Sequence, residues 1–271
     1  RTIGIVGTRI NYEIPGTRSL FTSAGRKARG GLEPPYREAF LEMDEEWGHP
    51  KLWGGMRQAA DPYTANFYLA AMDRTRDEAG NIVQAPEEQR IYLHLFLRTF
   101  WLSLIITGTT FLLGFPIAHL LATLPMRKSN LLMILVLLPF WTSLLVRTTA
   151  WMVLLQQQGV VNDVFVWLGI IRDDQRLQMI YNQTGTIIAM THILLPFMIL
   201  PLYSVMRTIN PSYVRAARSL GATSWTAFRR IYFPQTLPGL GAGALLVFIL
   251  AVGYYITPAL VGGSSGQLIS N

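Results

Sequence analysis

TFWLSLIITGTTFLLGFPIAHLLATL, residues 99–124, carries no formally charged side chain over 26 consecutive positions. At 1.5 Å rise per residue, a helix of that length covers about 39 Å, more than the roughly 30 Å of a bilayer's hydrocarbon core. Gly108, Gly114 and Pro116 interrupt the run. A lipid-embedded helix tolerates them where neighbouring helices close over the freed backbone groups. Three further runs of the same kind follow: about 131–158, broken by the single charge of Arg147; 184–206; and about 237–260. From Ile231 to Asn271 there is no charged side chain at all. Runs this long predict membrane spans rather than the core of a soluble protein. Their continuous apolarity, without alternation, excludes an outer-membrane barrel.

Charge is segregated along the 271 residues, of which 51% are hydrophobic and only 14% charged. Residues 1–95 hold 12 basic and 13 acidic side chains, a net of −1. Residues 96–271 hold 11 basic side chains against three acids, Asp163, Asp173 and Asp174, a net of +8. The basic excess therefore belongs to the apolar part and flanks its runs. That pattern points to membrane orientation rather than nucleic acid. The connection 125–130 carries Arg127 and Lys128 and no acid; the one from Arg207 to Thr236 carries five arginines and no acid. Both are predicted to be cytoplasmic, and the mixed connection 159–183 and the whole of 1–95 external. With no cysteine, disulfides, thiolate chemistry and cysteine metal sites are excluded. The chain opens on Arg1 without a signal-peptide pattern, which is read as processing or a missing start.

Two regions follow: an external N-terminal region, 1–95, and a transmembrane domain, 96–271. The first is rich in turn formers, as in "SAGRKARGG" and "LEPPYRE". A helix is predicted over Asp61–Met72, capped by Asp61 with Pro62 in its first turn. "AMDRTRDEAG", 71–80, and "QAPEEQRIYLHLFLRTF", 84–100, also suggest helix.

The connection between the third and fourth runs, "INPSYVRAARSLGATSWTAFRRIYFPQTLPG" (209–239), is too patterned for a simple link. Asn210 can cap a helix with Pro211 in its first turn. Gly221 stops that helix, with a left-handed backbone. Thr223 or Ser224 can cap a second helix, and Pro234 and Pro238 set the start of the next span. The prediction is a helix–turn–helix across the cytoplasmic end of the bundle. Leu220, Trp225 and Phe228 are its apolar anchors, and Ala216 and Ala217 leave room for a close neighbour. Docking to another protein and an interfacial helix held by anionic lipid are both open on these residues alone.

This stretch resembles the signature loop of ABC importer permeases: a Glu-Ala-Ala triplet, then glycine, then a hydrophobic residue and proline. Here the triplet reads Arg215-Ala216-Ala217, followed by Gly221, Ile231 and Pro234; the glutamate is replaced by Arg215. The resemblance covers nearly all of 96–271. It is most similar to the spermidine/putrescine branch, through "LLPFWTSLLVRTTAWMVLLQQQGVVND" (137–163) and "LPFMILPLYSVMRTINPSYVRAA" (195–217). "GYYITPALVGG" (253–263) departs, because several polyamine permeases carry an acid where this chain has Tyr254. The resemblance implies an all-α polytopic bundle in the bacterial inner membrane, with a coupling helix–turn–helix (209–236) seated in a groove of a cytoplasmic ABC ATPase dimer. It implies that Arg215, Ala216, Ala217, Gly221, Ile231 and Pro234 form that contact. It further implies a homologous second permease subunit, a periplasmic solute-binding protein and surrounding lipid, with no nucleic acid. ATP-Mg is used by the ATPase and no cofactor is held by this chain. One more span is implied on each side, making six with both termini cytoplasmic, so that the chain reads as lacking its flanks. Region 1–95 is longer than the resemblance implies.

Candidate pathway residues are Trp141, Arg147, Trp151, Tyr254 and Tyr255. Arg147 lies 16 residues into its run, about 24 Å along a straight helix, which puts it near the outer boundary. There it is either a gate or an interface anchor. The tryptophans can stack on a cation or simply pack. The tyrosines precede a Thr-Pro break of the kind at which transporter helices unwind. His119 and His192 lack metal-ligand spacing and are read as hydrogen-bonded helix contacts. No GxxxxGK[ST] loop and no nucleophile–base context occurs, so the chain is read as non-enzymatic and powered by a partner. A secondary transporter is disfavoured because the four runs contain no Asp or Glu. Polyamines or related amines are the expected substrate, with another small solute such as an amino-acid derivative as the alternative.

Overall fold

The computed structural model describes residues 7–8, 10–11, 14–28, 30–31, 33–60, 65–77 and 80–270. The chain forms two compact units, 1–94 and 95–271.

In the first unit, α1 (Thr17–Ala28), α2 (Tyr36–Met43), α3 (Pro50–Ala60) and α4 (Asn66–Ala71) precede a hairpin of β1 (Arg74–Arg76) and β2 (Ile82–Gln84). A small core gathers Ile10, Leu20, Phe21, Ala24 and Leu52 around Trp47, whose ring meets Phe40 at 4.9 Å and Phe21 at 5.2 Å. The caps expected at Asp61 and Pro62 lie outside the described residues. Within the helix expected over 71–80, Arg74–Arg76 is instead the strand β1, paired with Ile82–Gln84. Asp73 takes a positive φ of 53°, and the Asp77 side chain accepts from the Asn81 amide at 2.7 Å. Such local side-chain bonds compete with helical pairing. Buried Asp73 also accepts from the amides of Tyr92 and Leu93, both at 3.0 Å. These are first-turn donors of the long helix α5 (Tyr92–Thr123), where a carboxylate complements the helix dipole.

The second unit continues α5 with α6 (Met126–Leu137), a 3₁₀ turn (Leu138–Trp141), α7 (Leu144–Leu154) and α8 (Val160–Trp167). Next come α9 (Gln183–Thr208), α10 (Pro211–Ser219), α11 (Ser224–Ala227), a π turn (Phe228–Tyr232), α12 (Phe233–Val252), α13 (Ile256–Val261) and α14 (Gly263–Gly266). Three stretches are long and apolar enough to cross a membrane: Glu87–Thr123, Gln183–Thr208 and Ser224–Val252. It is a multi-span α-helical bundle.

Helix α9 is central, with 61% of its apolar window buried against 28% for each of the other two. It runs parallel to α5. Thr191 meets Thr109 at 2.8 Å, Met198 faces Gly114, and Arg207 reaches the Ala122 carbonyl at 3.0 Å. It runs antiparallel to α12, where Gly243 lies on Met198 and Gly239 on Pro201 and Val205. Fully buried Met198 is thus flanked by glycines of both neighbours. Without a hydrophobic drive between helices in lipid, such small residues are what allow backbones close enough for dispersion contact.

Two expected spans differ. The run 131–158 is not one helix: Met126–Trp141 and Leu144–Leu154 meet at 96°. The break falls at Thr142 and Ser143, which are extended, just after the 3₁₀ turn that holds Pro139. Proline supplies no amide to continue the ladder. The bent pair nonetheless crosses the bundle. Ser129 donates to the Leu121 carbonyl at 2.8 Å, Phe140 packs on Phe197 at 5.0 Å, Trp151 reaches His192, and Leu155 joins Met179, Ile180 and Ala189. Its partners on α9 thus move steadily towards that helix's N-terminus. The run expected at 237–260 begins earlier and ends earlier, as the continuous stretch Ser224–Val252. Pro234 and Pro238 do not interrupt it; the π turn just before α12 shifts the ladder by one residue ahead of them.

Opposite the knob, the connection 159–183 is ordered by fully buried Asn162. Its side chain bonds the Gln156 and Leu177 carbonyls and the Leu177 amide. Arg176 forks between Asp173 and Asp163, each at 2.8 Å. Hydrogen bonding to Asp173 and then Asp163 raises its guanidinium above the ordinary value.

The Met198 contact makes a checkable prediction. A Cβ at Gly243 would lie 3.0 Å from Met198 Sδ and 3.2 Å from its carbonyl, whereas one at Gly241 meets nothing within 4 Å. Gly243→Val should destabilise the bundle by about 1–3 kcal/mol and Gly241→Val much less. Thermal midpoints of the detergent-solubilised protein measure this, and equal midpoints for the two variants would contradict the close approach.

Candidate functional site

Two constellations stand out in the second unit, one at each end of α9. The first is the helix–turn–helix at its C-terminus. Asn210 caps α10 by accepting from the Ser212 amide at 3.0 Å, with Pro211 in the first turn. The Gly221 amide bonds the Arg218 carbonyl and the Ala222 amide the Ala217 carbonyl, both at 3.0 Å, with Gly221 at φ 89°. This paired closure is the glycine-dependent helix stop that the sequence indicates. Thr223, the first of the two candidate caps, receives the Thr226 amide at 3.2 Å. Beyond it the chain does not loop back. α11 passes through the π turn directly into α12.

An aromatic stack fixes this knob to α5. Trp225 stacks on Phe228 at 5.7 Å and Phe228 on Tyr232 at 6.0 Å. Phe115 meets Phe228 edge-on, and Tyr232 hydrogen-bonds His119 at 3.0 Å. His119 is therefore a helix contact. The outer surface is basic and apolar together: Arg215, Arg218, Arg229 and Arg230 are exposed, with Leu220 at 89% and Trp225 at 68%. Ala216 and Gly221 are exposed beside them and Ala217 is half-buried. Ile231 and Pro234 stand apart from this tip, in the π turn and the first turn of α12.

The second constellation lies towards the other end of α9, where α7 and the break after α12 meet it. Trp151 Nε1 donates to His192 Nδ1 at 3.1 Å, the rings edge-to-face at 5.4 Å. Accepting at Nδ1 leaves a neutral imidazole with its proton on Nε2. Thr148 and Thr257 share a hydrogen bond at 3.1 Å. Arg147 is within electrostatic reach of both His192 and Tyr254. Its Nε is buried without a hydrogen-bond partner among the described residues.

Of the five candidate pathway residues, Trp151 contacts His192 directly and Arg147 is within electrostatic reach of Tyr254. Trp141 stands 89% exposed at the bend, and Tyr255 is 55% exposed. His192, read from sequence as a helix contact only, completes the cluster. Trp151 and His192 are 41 positions apart, so only the pairing of their helices reveals the contact. Arg147 lies on the segment after the bend, one turn before Trp151, which meets His192 nine residues into α9, about 14 Å along that helix. Among the described residues no group of three His, Cys, Asp or Glu could hold a metal ion.

Residues 91–271 match the family described as binding-protein-dependent transport system inner membrane component. The spermidine/putrescine transport system permease protein PotB of Salmonella typhimurium is 38% identical over 181 residues, covering 67% of this chain and 62% of that protein. The protein of the same name from Haemophilus influenzae is 34% identical over 211 residues, covering 75% and 73%. A probable sulfate transport system permease protein of Marchantia polymorpha is 27% identical over 191 residues, covering 70% and 64%. The chain spans about three fifths of the length of the Salmonella relative. With the match running from the start of α5 to the last residue, the chain belongs to the binding-protein-dependent transport system inner membrane component family, the multi-pass permeases of ABC importers.

Proposed function

We propose that this chain is one permease half of an ATP-driven, binding-protein-dependent importer for polyamines or related amines. The observation that carries the reading is the attachment of the basic knob. It is joined through Ile209 and Asn210 to central helix α9, continues without a break into α12, and is stacked on α5. A force on this knob therefore acts on three membrane-crossing helices at once. ATP-driven closure of a cytoplasmic ATPase dimer supplies that force, with Arg215, Ala216, Ala217 and Gly221 at the contact and Ile231 and Pro234 passing it to α12. The chain itself does no covalent chemistry and needs no cofactor; ATP-Mg belongs to the partner. The substrate arrives from a periplasmic binding protein. It passes a wall that includes Arg147, Trp151 and Tyr254, with the exposed rings of Trp141 and Tyr255 also on its path. The two switching states are two packings of the bundle, biased by the ATPase.

The polyamine assignment is supported by the names of the relatives and by the rings of Trp151 and Tyr254, which suit a cation. Uptake of spermidine or putrescine by the complete transporter, with its own binding protein, tests it. Transport that follows ATP hydrolysis and saturates with an amine is expected. Uptake of an anion with no response to any amine would reject the substrate class.

Orientation gives a second test. Single cysteines placed at 127–130 or 222–224 should be shielded from an impermeant thiol reagent in intact cells, and cysteines at 172–175 should be labelled. The reverse pattern would place the knob outside.

The knob gives a third. Gly221→Val forces a β-branched residue into a left-handed backbone, a strain of about 1–2 kcal/mol. Ala217→Asp puts an acid where a partner surface is to close. Both should leave membrane abundance unchanged while lowering ATPase co-purification and uptake by about ten-fold. Full recovery and full uptake in both variants would make the knob a lipid-bound interfacial element instead.

A further inference from the structure

Helix-breaking residues gather at one level of the membrane unit. α9 carries Pro196 and Pro201, on either side of Met198. α5 sets Gly114 against Met198 and carries Pro116 just beyond it. α12 brings Pro238, Gly239 on the Pro201 carbonyl, and Gly243 on Met198. Phe140 packs on Phe197 at 5.0 Å, and the chain breaks at Thr142 and Ser143 just past it. An interior proline removes the bond to the carbonyl four residues back, so a helix bends most easily there. Elements whose soft points share one level can bend together.

On either side of this level the elements are tied to one another by hydrogen bonds. Towards the knob, Arg207 of α9 donates to the Ala122 carbonyl at 3.0 Å, Ser129 of α6 to the Leu121 carbonyl at 2.8 Å, and Tyr232 meets His119 at 3.0 Å. Towards the other end, Thr109 meets Thr191 at 2.8 Å and Thr148 meets Thr257 at 3.1 Å. There too the Tyr181 amide donates to the Val261 carbonyl, and Arg98 to the Ser264 carbonyl, both at 2.8 Å. At the level between, α5 and α12 meet α9 on Met198, whose unbranched thioether adapts to shifted neighbours more readily than a branched side chain does.

We infer that the bundle has a built-in waist at Met198, across which two cross-bonded halves tilt against each other. One half holds the knob; the other holds Thr148, Trp151, His192 and Thr257. α9 stays one continuous helix through the waist and carries the tilt across. The proposal rests on the importer reading, in which the ATPase moves the knob. It adds where that movement is taken up: at Pro116, Pro196, Pro201 and the 142–143 break, with the bonds at both ends kept intact.

The test uses the complete transporter with its ATPase. In Pro196→Ala/Pro201→Ala, α9 regains two ladder donors. Its thermal midpoint should rise, ATPase recovery should stay within about two-fold of wild type, and ATP-driven uptake should fall by roughly five-fold or more. Lost uptake in a more stable protein separates stiffening from misfolding. Uptake within about two-fold of wild type overturns the proposal, and so does a lowered midpoint, which would give the prolines a packing role instead. A second measurement needs no proline variant. Spin labels at exposed Leu131 and Val153, one on each side of the waist, should change separation between the nucleotide-free and ATP-bound complex. Labels at exposed Leu120 and Leu131, both on the knob side, should not. ATP hydrolysis with an unmoved 131–153 pair, or with a 120–131 pair that moves as much, overturns the waist alone. A wild-type complex that hydrolyses no ATP and takes up no solute fails the importer reading, and the waist with it.

Discussion

Everything in the membrane unit hangs on the packing of α9 at Met198. Gly114 of α5 approaches it on one side and Gly243 of α12 on the other, so closely that an added carbon would lie 3.0–3.1 Å from the Met198 side chain and force it to shift. In water such a core is held by expulsion of apolar surface, but between helices in lipid that drive is absent. Close van der Waals contact and a few buried hydrogen bonds, such as Thr109 with Thr191, take its place. The consequence is a rigid axis. The knob is attached at one end of α9, and the Arg147 cluster lies towards the other, so motion imposed at the first has a direct mechanical route to the second.

The bundle has two breaks, at Thr142–Ser143 just after the 3₁₀ turn and at Gly253 after α12, and both leave backbone exposed in this chain. The segments that follow, α7 and α13, meet through Thr148 and Thr257. They also have ordered backbone on the far side: the Tyr181 amide bonds the Val261 carbonyl at 2.8 Å, and Thr186 reaches Gly266. Irregular backbone at membrane depth is a recurrent feature of transport pathways because it brings polar groups where an uninterrupted helix would bury them. Here it brings Thr148 to Thr257 at 3.1 Å and Trp151 to His192.

At the other end the π turn reconciles two demands. The knob needs a helix directed towards Trp225, and α12 needs its glycines directed at α9. One extra residue in the turn Phe228–Tyr232 allows both without a loop, and the stack from Trp225 to His119 keeps the turn in place.

The sequence by itself determined a good deal. Long charge-free runs identify membrane-crossing helices because hydrocarbon penalises every charge. Asn210, Gly221 and Thr223 locate the knob because caps and left-handed stops are properties of single residues and their near neighbours. The triplet at 215–217 with Gly221, Ile231 and Pro234 points to the family. Only the tertiary structure decided where the runs bend, since apolarity cannot distinguish a straight helix from one turned through 96° at Thr142–Ser143. Only it showed that 74–76 pairs with 82–84 as strands, and that Asp73 just before them serves amides about twenty positions away. It alone made Arg147, Trp151, His192 and Tyr254 neighbours. They lie on three segments, and their proximity depends on how the helices pack, which no local pattern encodes.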